Sequence, residues 1–250
     1  MTIADLSGGT AIVTGASRGF GRATATALAG SGVHVVGVAR SQAALDELRE
    51  QLGEAFTPLV ADVADPSLAS ELLARYRPRT LVLNAGTTPT VGPLSQQTWD
   101  SFSSNWDVDV RHVFQFVREA LVRPLDPGST VISLSSGAAV RGSPLSGGYA
   151  GAKATIRFIS AYAGMEAQQH ALAIRFVSVL PQITPATGVG SPFVAAYARS
   201  SGLSQADYLA QLGTPLSVDR VATTLVDLAG NDDYSAPAYL LTGQGFRPVE

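Results

Sequence analysis

Short apolar runs rich in β-branched residues alternate with stretches of helical spacing along most of the chain. Seven runs stand out: Thr10–Thr14, Val33–Val38, Thr57–Ala61, Thr80–Asn84, Thr130–Leu134, Ala173–Leu180 and Ala238–Leu241. Helical spacing occupies residues of about 20–30, 42–52, 66–75, 106–123, 149–168 and 217–229 between them. Strands read as continuous apolar runs when helices cover both faces of a parallel sheet. The order therefore predicts an α/β fold, a doubly wound, mainly parallel seven-stranded sheet with helices on both faces. No repeat, low-complexity tract or linker interrupts residues 1–250, so a single domain is expected. One stretch breaks the rhythm. From about Pro185 to Pro215, glycines and prolines surround two apolar pieces, Phe193–Tyr197 and Tyr208–Leu212. An excursion of that size reads as a lid over a site, with a decorative surface loop as the other reading.

Open parallel sheets bind ligands beyond the carboxyl ends of their strands. The unusual residues of this chain fall at those ends. The first run is followed by Thr14-Gly15-Ala16-Ser17-Arg18-Gly19-Phe20-Gly21, the second by Arg40, the third by Asp62-Val63. The fourth ends in Asn84-Ala85-Gly86, the fifth in Ser135-Ser136-Gly137, the sixth in Pro181-Gln182. Glycines at 15, 19 and 21 let backbone N–H groups approach a diphosphate, and the helix that follows offers partial positive charge. NAD binders place an acid at the end of the second strand, whereas NADP binders omit it and supply arginine. Ala39 stands in the acid's place and Arg40 follows, with Arg18 within reach of the same 2′-phosphate. NADP is expected ahead of NAD.

Composition adds exclusions and one pointer. With no cysteine, disulfides, thiolate metal sites and cysteine nucleophiles are excluded, and no metal site is expected. A net charge of −3 with scattered arginines offers nothing to nucleic acid. The N-terminus MTIADLSGG has no secretory pattern and no apolar run is of membrane-spanning length, so a cytoplasmic protein is expected. The pointer is lysine. Sixteen arginines accompany a single lysine, Lys153, which marks it for work a bulky guanidinium cannot do. Tyr149 lies four residues earlier, on the same face of the same predicted helix. A nearby ammonium favours a phenolate, so Tyr149 can exchange a proton with a substrate oxygen. Ser136, or its neighbour Ser135, can hold that oxygen.

These residues carry a resemblance. From Thr10 to about Gly245 the chain resembles the short-chain dehydrogenases/reductases, on TGASRGFG (Thr14–Gly21), Asp62, NAG (Asn84–Gly86), Ser136 and YAGAK (Tyr149–Lys153). The resemblance implies a Rossmann-type fold and hydride transfer between nicotinamide and a small carbonyl or alcohol compound. It implies Tyr149 as general acid/base, Ser136 as oxygen anchor, and Lys153 as binder of the nicotinamide ribose. Asp62 with Val63 would contact adenine, Asn84, Ala85 and Gly86 would support the cofactor loop, and Pro181, Ile183 and Thr184 would follow the cofactor amide. Tyr149 and Lys153 count among the cofactor contacts, as do Gly15, Ser17, Arg18, Gly19, Phe20, Gly21 and Arg40. Relatives pair through the helix of Tyr149, so a homodimer or homotetramer is expected. Two departures stand out. Asp109 occupies the place of an asparagine that serves a proton relay to the lysine, with Asn105 as an alternative, and Pro181-Gln182 replaces Pro-Gly. They keep open a second reading, a cofactor-binding regulator or scaffold with impaired turnover.

Overall fold

The structure is a computed structural model and describes residues 6–249; the N-terminal stretch Met1–Asp5, read above for a leader, lies outside the described residues. In chain order the strands are β1 (Thr10–Thr14), β2 (His34–Ala39), β3 (Phe56–Val60), β4 (Thr80–Leu83), β5 (Ser129–Leu134), β6 (Ile174–Pro181), β7 (Ala238–Leu241) and β8 (Phe246–Pro248). They form one sheet in the order β3-β2-β1-β4-β5-β6-β7-β8. The first seven are parallel, and β8 alone runs antiparallel, against β7. The sheet thus has eight strands where the apolar pattern predicts seven. β8 is three residues long, forms one edge of the sheet and contains a proline, so it offers no periodicity to read. It is held by a turn in which Thr242 N–H donates to Gly245 at 2.9 Å, and by Phe246 stacked on Tyr239 at 4.6 Å.

Both faces of the sheet are covered. The helices are α1 (Gly19–Gly30), α2 (Gln42–Leu52), α3 (Leu68–Tyr76), α4 (Trp99–Asn105), α5 (Arg111–Val122), α6 (Ala138–Arg141), α7 (Gly147–Gln169), α8 (Gly190–Ser200), α9 (Gln205–Gln211) and α10 (Val218–Gly230). Successive strand side chains alternate between faces. Ala11 and Val13 of β1 therefore join one core with Leu28, Leu45, Val221 and Leu225, from α1, α2 and α10. Ile12, between them, joins the opposite core with Leu72, Phe116 and Ile156, from α3, α5 and α7. In α10 the buried Val221, Ala222, Leu225 and Leu228 keep helical spacing, and full burial of one such leucine is worth about 1.5–3 kcal/mol. Arg175 of β6 fixes the end of that helix, donating to the Asn231 carbonyl at 2.6 Å and to Thr130 Oγ1 at 3.1 Å.

Chain order reverses between β1 and β4, which opens a crevice at the carboxyl ends of these two strands. The irregular stretch of about 185–215 folds into α8 and α9. Among the described residues no helix is long and apolar enough to cross a membrane.

Candidate active site

At the crevice, Thr14 and Asn84 lock the two diverging strands. Thr14 Oγ1 accepts from Asn84 N at 2.9 Å and Ala85 N at 3.1 Å, while Asn84 Nδ2 donates to the Thr14 and Gly15 carbonyls at 3.0 and 3.3 Å. This brings the glycine loop against NAG. A Cβ on Gly21 would stand 2.2 Å from the Gly15 carbonyl oxygen, so only glycine lets α1 start there. Gly15 and Gly19 have φ of +70° and +53°. The first turn of α1 carries no acidic residue, and its N-cap, Arg18, makes no side-chain cap. Its first N–H groups therefore face the crevice without a side-chain acceptor.

A cleft of about 680 Å³ runs from this loop to the lid. Of the residues expected from sequence, Gly15, Ser17, Arg18, Gly19, Phe20, Arg40, Asp62, Val63, Asn84, Ala85 and Gly86 line it, as do Asp109, Ser136, Tyr149, Lys153, Pro181, Ile183 and Thr184. Gly21 does not line it; it is buried behind Gly15. A narrow glycine cradle, unpaired helix N–H groups and a cleft of this volume suit a dinucleotide. Ala39 closes the second strand, and Arg18 and Arg40 have no acidic partner among the described residues.

The other end of the cleft is electrostatically dense. Lys153 Nζ donates to the Leu134 carbonyl at 3.1 Å and pairs with Asp109 Oδ2 at 3.2 Å, the two side chains being 8% and 2% exposed. The same ammonium lies 5.6 Å from the centre of the Tyr149 ring. Burial alone would push the Lys153 ammonium down, but the Asp109 charge, with Tyr149 and the Asp109 hydrogen bond adding, holds it above the usual lysine range. Asp109 sits in one turn of π-helix, Trp106–Val110, between α4 and α5. Such turns re-aim side chains out of α-helical register. Here Asp109 reaches both Lys153 and Thr87 N, the latter at 2.8 Å. Gly86 makes room, since a Cβ there would stand 2.7 Å from Asp109 Oδ2. Asn105 is turned elsewhere and donates to the Thr87 carbonyl at 3.1 Å. The two serines also divide. Both touch the cleft, but Ser135 is buried and donates to the Lys153 carbonyl at 2.7 Å, whereas among the described residues the Ser136 hydroxyl accepts only from Ala138 N, at 3.2 Å, and keeps its own proton to donate.

At the sixth strand, Gln182 N–H donates to Leu241 at 2.8 Å and Gln182 Nε2 to the Leu212 carbonyl at 3.0 Å. The residue that replaces glycine thus ties the far end of the lid. Thr184 is buried, its hydroxyl donating to the Leu216 carbonyl at 2.7 Å. Sequence reasoning missed the loop before α7. Ser143 Oγ bonds both Ser146 Oγ and Tyr197 OH, and Leu145 N–H donates to Tyr197 OH at 3.3 Å. The signal available was the short Gly-Ser-Pro stretch Gly142–Pro144, which follows α6 and precedes α7. His112 was missed too. It is fully buried, neither ring nitrogen makes a hydrogen bond of normal geometry, and its pKa is lowered to about 3. Burial is the main cause and the Lys153 charge adds, with the Ala85 backbone pulling the other way.

Residues 9–197 match the family described as short chain dehydrogenase. The chain is 30% identical over 176 residues to an L-xylulose reductase of Mesocricetus auratus, covering 69% of this chain and 71% of that one. It is 29% identical over 227 residues to a serine 3-dehydrogenase of Agrobacterium fabrum, covering 87% and 86%. A D-erythrulose reductase of Gallus gallus is 31% identical over 172 residues, covering 67% and 69%.

Proposed function

The chain belongs to the short-chain dehydrogenase family, as an NAD(P)-dependent oxidoreductase of CH–OH or C=O groups, and we propose that it uses NADP(H) on a small carbonyl or alcohol with Tyr149 as general acid/base. The observation that carries this reading is the meeting of Ser136, Tyr149 and Lys153 at one end of a cleft whose other end is a glycine cradle. Gly15, Ser17, Gly19 and Phe20 would hold the diphosphate, with Gly21 behind them allowing the approach. Arg18 and Arg40 would take a 2′-phosphate, supported by the missing acid at Ala39 and by their lack of an acidic partner. Asp62 and Val63 would face the adenine, Asn84 to Gly86 the middle of the cofactor, and Pro181, Ile183 and Thr184 its amide. When bound, the reduced dinucleotide supplies the hydride that a carbonyl carbon takes up.

The chain's own residues manage the oxygen. Ser136 holds it by hydrogen bonding, Tyr149 gives it a proton, and Lys153 keeps positive charge beside the phenol. Asp109 fixes Lys153 from behind, in place of the family's asparagine. Residues 185–215 serve as a lid over one domain. Exposed Phe114 on α5 and Phe158, Tyr162 and Met165 on α7 support pairing of two copies through these helices. The test is consumption of NADPH, and of NADH in parallel, with a panel of ketones and aldehydes. Turnover with NADPH at a clear advantage supports the reading; equal use of NADH removes the NADP assignment, and no turnover with any carbonyl removes the reaction.

A further inference from the structure

The family model matches as far as Tyr197, inside α8, and the lid continues beyond it through α9. From the Tyr149 ring a series of aromatic contacts runs along the wall of the cleft. Phe193 is 5.7 Å from Tyr149, Tyr197 is 6.5 Å from Phe193, and Tyr208 is 6.2 Å from Tyr197 with the two planes only 9° apart. Ring pairs at these separations attract, and the row offers aromatic surface against which a further flat ring could pack in the same way. The wall is tethered at Tyr197. Tyr197 OH is taken by Ser143 and by Leu145 N–H, which pins the ring. The Tyr208 phenol is pushed up by burial, with Tyr197 adding.

Several polar side chains at this end are spent on the protein itself, while Gln211 and Gln244 line the cleft without a side-chain hydrogen bond among the described residues. Gln182 holds Leu212, Thr187 Oγ1 accepts from Gly190 N at 3.0 Å, and Thr242 Oγ1 accepts from Gln244 N at 3.2 Å. The acids lining the cleft are Asp62, at the end of β3, and Asp109, paired with Lys153. Arg141 is exposed on the rim. Laid along the ring faces of Phe193, Tyr197 and Tyr208, a substrate with a hydroxyl on each carbon would lose water without regaining all its hydrogen bonds, and such unpaired groups are costly.

We infer that the substrate is a carbonyl carried on a flat, largely apolar ring body, an aryl or alicyclic ketone, seated against Phe193, Tyr197 and Tyr208; this rests on the oxidoreductase reading above. The C=O would lie between Ser136 and Tyr149, with the ring body toward the lid.

The test uses the full chain in three forms: wild type, Tyr208→Ala and Tyr208→Phe. NADPH consumption is measured with 2-tetralone and with an open-chain ketotetrose, beside equilibrium binding of 2-tetralone to the protein followed by intrinsic fluorescence. Two ring contacts worth about tenfold each predict kcat/KM about 100-fold higher for 2-tetralone. Tyr208→Ala is expected to lower that ratio and the 2-tetralone affinity about tenfold, and Tyr208→Phe, which keeps the ring, to preserve both. A ratio near one or in favour of the ketose overturns the substrate class and leaves the reductase reading intact. So does a Tyr208→Phe variant that behaves like Tyr208→Ala, because the hydroxyl would then be the recognition element. Absence of NADPH consumption across a wider ketone and aldehyde panel overturns the reductase reading, and this inference with it.

Discussion

Removing the carboxylate of Asp109 leaves the ammonium of Lys153 in a pocket built for two charges. The side chains are 2% and 8% exposed and 3.2 Å apart, so water can replace little of what the partner supplied. Breaking a buried pair by deleting one member costs about 3–5 kcal/mol, chiefly for the charge left behind. Asp109→Ala also strips the acceptor from Thr87 N–H, which keeps the expected loss near the upper end of that range. For a chain of this size each kcal/mol lowers Tm by about 2–4 °C, so a loss of about 4–5 kcal/mol predicts a fall of about 8–20 °C. Lys153→Met should cost a similar amount by stranding the carboxylate. Removing both charges should cost clearly less than the sum, with a coupling of about 2 kcal/mol or more. Urea unfolding of the two single variants and the double variant at pH 7 measures all three. That pH suits the pair. A lysine held above its ordinary value contributes fully below about 10.5 and loses the contribution only as pH rises through its higher folded value. Additive losses within about 0.5 kcal/mol, or an Asp109→Ala cost below about 1 kcal/mol, would refute the reasoning.

Other variants probe the rest of the cleft and the core beneath it. His112 is neutral in the folded protein down to about pH 3 but protonates in the unfolded chain below about 6.5, so it erodes stability as pH falls through that window. The slope is about 1.4 kcal/mol per pH unit, and His112→Leu should flatten unfolding free energy between pH 6 and about 4; an unchanged slope would contradict the burial argument. Arg40→Ala is expected to weaken NADPH binding about 10- to 100-fold and to leave NADH binding unchanged, as fluorescence titration reads. Equal losses for both would remove the 2′-phosphate assignment. Gly21→Ala places a Cβ 2.2 Å from the Gly15 carbonyl and should cost about 1–3 kcal/mol in stability together with dinucleotide binding. Wild-type melting and wild-type NADPH affinity in that variant would mean the loop is not the tight cradle described.

Much of the fold is legible along the chain because its strands are covered on both faces. β1 and β7 fall within the bounds read from the apolar runs, and the other five parallel strands lie within one residue at either end. β8 escapes because three residues with a proline carry no pattern. The rim residues are legible because strand order alone sends carboxyl ends to one side. What a linear reading cannot supply is angle. Residues 106–123 read as one uniform helix, and nothing in that spacing announces the π turn that swings Asp109 onto Lys153. The separation of Ser135 from Ser136 is a matter of alternation at the end of β5, decided by which hydroxyl meets the Lys153 carbonyl. The tether from Tyr197 to Ser143 joins residues 54 apart and depends on how the lid comes to rest.

The central claim concerns one phenol. In single-turnover reduction of a ketone by saturating NADPH, Tyr149→Phe should bind the dinucleotide as wild type does and reduce the ketone slower by at least about 100-fold, the scale of a lost general acid. Reduction at the wild-type rate by Tyr149→Phe would contradict the account.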